Sequence, residues 1–197
     1  MKKILLLCTV LVFIELINGC HQKQNNNKST SNNDTTAFYP LHEILLEELK
    51  DVKNTPYFMY QIKTSSAHTK KDSSVVNPQQ FEDLAQPFLS INLNSDTLKP
   101  YLNESVFHDL STNSYSFTYT PKSNNDTLPI KSIIVLLNDD NNNSLKDIFI
   151  HKILHNSDTV IDEALHWKPA NYFTIDKKYL LKDSVINKSK LLVNWQH

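Results

Sequence analysis

The residues of this chain best equipped for chemistry lie between Asp147 and His166. Histidines and carboxylates recur there at a spacing that a β-hairpin would bring together. If Asn156-Ser157 is a two-residue turn, His151 falls opposite Asp162 and Asp147 opposite His166, all four on one face. A carboxylate beside an imidazole orients the ring and sets its tautomer, which is the first half of an acid–base couple. On a solvated sheet the same pair does something plainer, adding about 0.2–1 kcal/mol of cross-strand stabilisation. The two pairs lie about 13 Å apart along the strands, too far to share one metal whose ligand bonds are about 2 Å long. Phe149, Ile153, Val160 and Ala164 are interspersed with them, whereas Ile148, Ile150, Leu154, Ile161, Leu165 and Trp167 take the opposite, core side. A half-polar, half-apolar face of this kind is a candidate binding surface, with His151, Asp162, Asp147 and His166 as its residues.

The other motifs point to ordinary structure. Asp139-Asp140-Asn141-Asn142-Asn143-Ser144 offers oxygen ligands at positions one, three and five of a calcium loop. Ser144 stands where that loop needs glycine and Ile150 where it needs glutamate, so the segment reads as a hydrated hairpin loop. Glu47-Glu48, Asp139-Asp140 and Asp162-Glu163 are adjacent carboxylates, which on a helix or strand point apart and are read as solvated. There is no Gly-x-Ser-x-Gly elbow for a nucleophilic serine. Trp167, Trp195 and the Tyr115, Phe117, Tyr119 stripe read as core at period-two spacing rather than as platforms for sugar rings. No catalytic residue and no metal-ligand set stands out.

Composition removes whole classes of function. Of 197 residues only Gly19 is glycine, all 20 basic residues are lysine, and asparagine occurs 22 times. Phosphate-cradling loops need glycine where backbone must approach the ligand, so Walker and dinucleotide-binding turns are excluded. Bidentate reading of phosphate or guanine needs the arginine that is absent. A net charge of −1 leaves no basic footprint for nucleic acid, while 40% hydrophobic content is ordinary for a folded chain. Neither nucleotide, nucleic acid nor cofactor is expected.

The elements that must position these residues follow from periodicity. Leu41, Leu45, Leu49 and Val52 share one face of a helix over 41–53. A second helix starts at Asn77-Pro78-Gln79-Gln80, where Asn77 caps, Pro78 suits the first turn and Gln80 completes a capping box. Phe81, Leu84, Ala85 and Phe88 form its apolar face, and Pro87 kinks or ends it. Strands are expected at 57–64, 105–110, 115–120, 130–137, 146–155, 159–167, 172–179 and 190–195. Asparagine and aspartate tolerate a left-handed backbone, so the positive-φ turn positions are expected on them. The fold class expected is α+β, two N-terminal helices packed on an antiparallel meander sheet of about six strands.

The N-terminus carries an address. Met1-Lys2-Lys3, an apolar run from Ile4 to Ile14 and a small residue before a cut make a secretory signal over 1–19. Eleven residues span about 16 Å as a helix, roughly half a bilayer's hydrocarbon core. Ile17-Asn18-Gly19-Cys20 resembles a bacterial lipobox, with cleavage between Gly19 and Cys20 and lipid on the Cys20 thiol. Glu15 and Asn18 depart from the commonest form of that motif. Residues 20–36 are polar and read as a disordered tether, leaving 37–197 as a single globular domain. Processing would consume the only glycine, and with Cys8 removed and Cys20 acylated no thiol remains for a disulfide, zinc or a nucleophile.

The chain as a whole resembles small lipoproteins of Bacteroidota that carry no assigned activity. The resemblance rests on the lipobox and Asn/Ser/Lys-rich tether, Phe38-Tyr39-Pro40 before a helix, Ser116-Phe117-Thr118-Tyr119 in a strand, and Trp167-Lys168-Pro169-Ala170-Asn171-Tyr172-Phe173 before another. It implies a Gram-negative envelope and an AT-rich genome, which favours lysine and asparagine codons. His21-Gln22-Lys23 replaces the acidic residues often found after the cysteine of surface-exported members, which points to the periplasmic face of the outer membrane. The expected function is therefore a non-catalytic binding or structural module, held to the membrane by its lipid, with an envelope protein or polymer as partner. The alternative is a hydrolase or lipid-handling periplasmic protein whose site the sequence hides. Converging carboxylates in a pocket, or a long apolar groove between helix and sheet, would favour that alternative; a shallow open sheet face would favour the first.

Overall fold

The computed structural model describes residues 37–66, 68–123, 127–182 and 184–196. The signal, Gly19, Cys20 and the tether lie outside the described residues, as do Asn124, Asn125 and Asp126 of one expected turn. Helix α1 (Leu41–Asn54) leads into the hairpin β1 (Phe58–Ser65) and β2 (His68–Val75), followed by helix α2 (Pro78–Leu89). A meander then runs through β3 (Leu102–Asp109), β4 (Ser114–Pro121), β5 (Ile130–Asn138), β6 (Leu145–Asn156), β7 (Thr159–Lys168), β8 (Tyr172–Leu181) and β9 (Ser184–Gln196). All nine strands join one antiparallel sheet in the order β2-β1-β9-β8-β7-β6-β5-β4-β3. The first hairpin is thus added to the last strand, Phe58 facing Gln196 and Ser65 facing Ser189. The segment between β2 and β3 must carry the chain from one sheet edge to the other.

This corrects the expected α+β class: the domain is mostly β, a nine-stranded sheet with two helices, rather than two helices on about six strands. The unforeseen strand is β2, His68-Thr69-Lys70-Lys71-Asp72-Ser73-Ser74-Val75, whose sequence has no apolar alternation. It needs none, because an edge strand draws its stability from one ladder of backbone bonds and is kept soluble by charge. β9 also begins six residues before the expected strand, because Ser184 to Ser189, with Val185 and Ile186 exposed, extends it along β8.

One face of the sheet carries the core. Leu41, Leu45, Leu49 and Val52 of α1 are buried, as are Phe81, Ala85, Phe88 and Leu89 of α2. The capping box of α2 forms as the sequence implies, Gln80 N donating to Asn77 Oδ1 at 2.9 Å and Asn77 N to Gln80 Oε1 at 3.0 Å. Pro87 sits inside the helix, which ends two residues later. Five rings form the centre: Phe81 lies 4.9 Å from Trp195 and 5.6 Å from Phe173, Phe88 lies 5.2 Å from Trp167, and Trp167 stacks on Phe173 at 5.1 Å. Glu48 fastens α1 to this cluster, accepting from Trp167 Nε1 at 2.8 Å and from the backbone N of Ala170. Burial raises the Glu48 pKa, opposed in part by those two donors.

The glycine-free hairpins solve their turns unevenly. Among the described residues positive φ occurs at Asn113, Asn143, Ser157, Ala170 and Lys182, each in a hairpin turn of the meander. Only two of the five fall on asparagine and none on aspartate, which corrects the expectation. Hairpin closure requires the left-handed conformation whatever residue the register delivers there, and the paired strands outweigh a cost of about 1–2 kcal/mol per residue.

Candidate functional site

The sheet face opposite the helices is roofed by no described element. Strand alternation places Asp147, Phe149, His151 and Ile153 of β6 there, with Val160, Asp162, Ala164, His166 and Lys168 of β7 and Tyr172, Thr174, Asp176 and Lys178 of β8. The four predicted residues therefore do share one face, and both predicted pairs form. His151 Nε2 lies 2.8 Å from Asp162 Oδ1, and His166 Nε2 lies 2.8 Å from Asp147 Oδ1.

Their register differs from the expected one. The turn is Ser157-Asp158 rather than Asn156-Ser157, so Asn156 pairs with Thr159, His151 faces Ala164, and His166 faces Phe149. Each ion pair is thus diagonal, reaching one strand pair and two residues along. Moving the turn by one residue shifts both strands together, which preserves the face while exchanging the direct neighbours. Diagonal neighbours about 7–8 Å apart at Cα remain within reach of an imidazole and a carboxylate.

Sequence reasoning overlooked the lysines. Lys178 Nζ lies 3.1 Å from Asp162 Oδ2, and Lys168 Nζ lies 3.1 Å from Asp147 Oδ2. Each aspartate is consequently shared between a histidine and a lysine, giving two His–Asp–Lys clusters, one spread over β6, β7 and β8 and the other over β6 and β7. A period-two search along β8 from Asp176 would have found Lys178 on this face. Partial burial works against ionisation of Asp162, but its bonds to His151 and Lys178 outweigh that and hold its carboxyl below the usual carboxylate range. Between the clusters, Phe149 stacks on His166 with ring centres 4.3 Å apart, and Tyr172 meets the same imidazole edge-on at 5.4 Å. Ala164, flanked in register by His151 and Asp176, has no side chain beyond Cβ and lies in a depression of 370 Å³ that also takes in Asp162 and Lys178.

Chemically, each cluster fixes an imidazole but offers it nothing to activate. Ser132 stands directly opposite His151 on β5, yet no hydrogen bond joins them. His151 stays largely open to water, which weakens electrostatic catalysis there, whereas Phe149 covers one face of His166 and Tyr172 its edge. Among the described residues no three His, Cys, Asp or Glu side chains converge as a metal site would require. In the Asp139–Ser144 turn both aspartates hold neighbours: Asp140 accepts from Ser144 Oγ at 2.6 Å and Ser144 N at 3.0 Å, and Asp139 holds His108 at 2.9 Å.

The helix side holds two further features. Glu163, adjacent to Asp162, does point away from it, but into the protein: it is 2% exposed, between Lys152 Nζ at 2.7 Å and Lys177 Nζ at 2.9 Å. The solvated reading of Asp162-Glu163 is corrected for Glu163. Beyond Lys177, a cavity of 680 Å³ opens between α2 and β1, β8 and β9, with Leu84, Pro87, Ile175 and Leu191 as its apolar lining and Lys63 and Asp83 among its polar residues. Trp167 and Trp195 are fully buried, as the core reading of the aromatics expects.

No family profile, curated protein or solved structure matches the chain. Its function must therefore be read from these surfaces.

Proposed function

We propose that this chain is a non-catalytic envelope lipoprotein, anchored through Cys20, whose open sheet face binds a partner protein or an envelope polymer. The observation that carries the reading is the pair of His–Asp–Lys clusters around the Phe149–His166 stack. Charged side chains on an unroofed sheet ordinarily sample many rotamers, whereas here each is held by a neighbour at hydrogen-bond distance. Groups fixed before binding lose less entropy when a partner arrives. Aromatic surface flanked by fixed donors and acceptors suits a polar polymer or a protein patch.

The double variant His151→Ala/His166→Ala tests the face. Its melting temperature should fall by no more than a few degrees, since exposed cross-strand pairs contribute about 0.2–1 kcal/mol each, while recovery of the cross-linked partner should drop at least about tenfold, or 1.4 kcal/mol. Partner recovery equal to wild type would remove this face from the account. Anchoring has its own test. Cys20→Ser should abolish palmitate incorporation in cells, and undiminished labelling would exclude the lipobox reading.

A second reading, lipid handling, is favoured by the 680 Å³ cavity beside α2, a volume within the range of small-molecule sites. Its lining mixes apolar side chains with both charge signs, so it does not select one head group.

A further inference from the structure

The two edges of the sheet are built differently. β2 shows solvent the charged side chains of Lys71 and Asp72, the usual protection of a free edge, with Val75 at its end as its one exposed apolar side chain among the described residues. β3 shows it apolar ones: Val106 is 53% exposed, Phe107 64%, and Leu110, just past the strand, 75%. Every residue from Asn103 to Phe107 is exposed, and the outer ladder of backbone N–H and C=O groups of β3 faces no described strand. Such an edge is a template for another strand.

We infer that β3 pairs with β3 of a second copy of this chain, antiparallel and centred on Val106, joining two sheets into one. The sequence Leu102-Asn103-Glu104-Ser105-Val106-Phe107-His108-Asp109-Leu110 is complementary to itself in that register. Val106 meets Val106, each Glu104 meets the His108 of the other copy, and each Ser105 meets Phe107. Carboxylate–imidazole and apolar cross-strand pairs can both stabilise, and in this arrangement no two carboxylates and no two lysines stand opposite one another. A slip by two residues would set Glu104 against Val106 and lose the match. His108 is already held in place, stacked on Tyr115 at 4.1 Å and bonded to Asp139 at 2.9 Å.

The symmetry also suits a membrane-anchored chain. A twofold axis normal to the sheet leaves the helix layers of both copies on one side. Each chain enters over β4 on that side, Tyr39 N donating to Tyr119 Oη at 3.0 Å and Phe38 lying against the same ring. Both N-terminal segments therefore start from one face, next to the shared edge.

Sedimentation of the whole chain in detergent should show a dimer. Val106→Lys, which sets two lysines opposite each other at an exposed site, should raise the dissociation constant at least about tenfold. Mixing Val106→Lys with Val106→Glu should restore a heterodimer. Independently, oxidation should link Val106→Cys chains to themselves beyond the background set by Cys8 and Cys20, whereas Ser105→Cys should not link, because it faces Phe107. A monomeric wild type, a Val106→Lys chain as dimeric as wild type, or equal linking through Ser105→Cys would each overturn the pairing.

Discussion

Replacing Phe81 by alanine should cost about 4 kcal/mol, the middle of the range for truncating a buried aromatic. For a domain of this size that lowers the melting temperature by about 8–16 °C. Phe81 is wholly buried and touches three rings, Trp167, Phe173 and Trp195, in edge-on contacts at 6.2, 5.6 and 4.9 Å. Those rings belong to three strands that are neighbours in the sheet, so α2 and the sheet share one cluster and neither can relax alone to fill the space. Thermal denaturation followed by near-ultraviolet circular dichroism would measure both the loss and the altered tryptophan environment. A loss below about 1 kcal/mol would mean that α2 does not rest on the sheet at this ring.

Glu163→Ala should be nearly as damaging, at about 3 kcal/mol, because it leaves Lys152 and Lys177 facing a site built for a carboxylate. Both lysines keep some exposure and can turn towards water, which places the effect at the low end for a broken buried pair. Burial alone would raise the Glu163 pKa, but the two lysines more than compensate and hold it below the ordinary value of 4.5. A folded-state carboxyl that binds its proton less tightly than in the unfolded chain contributes fully above that ordinary value. The contribution disappears as pH falls through the lowered one. The stability gap between wild type and Glu163→Gln, measured by denaturant titration, should therefore be constant near neutrality and close as the solution is acidified below about pH 4.5. A gap that widens on acidification would mean that Glu163 is not held as a carboxylate.

What could be read from the sequence divides along one physical line. Features set by local spacing were legible: the buried stripe of α1, the Asn77–Gln80 box, and the placement of His151, Asp162, Asp147 and His166 on a common face. Period-two alternation decides a face irrespective of the partner strand, so even a displaced turn left those four together. Features set by tertiary neighbours were not legible. β2 has no pattern because its stability comes from β1. Glu163 and Asp162 are chemically alike in sequence, and only the loops and helix covering one side of β7 distinguish a buried carboxylate from a surface one. The left-handed backbone at Ala170 and Lys182 follows from hairpin closure, not from residue preference. Alternation alone puts Lys168 and Lys178 on the same face, but which carboxylate each meets depends on the strand register, which the displaced turn altered.

The two sides of the sheet then suggest different occupants, an open face of fixed polar groups and a cavity beside α2 whose lining mixes apolar and charged side chains. Site-specific photo-cross-linking in living cells separates them most directly, with the reactive side chain placed at Phe149 on the open face or at Leu84 in the cavity. One recurrent protein or polymer adduct is expected from position 149, lost when His151→Ala/His166→Ala is added, and none of that species from position 84. Adducts to lipid from position 84 with none from position 149 would contradict it.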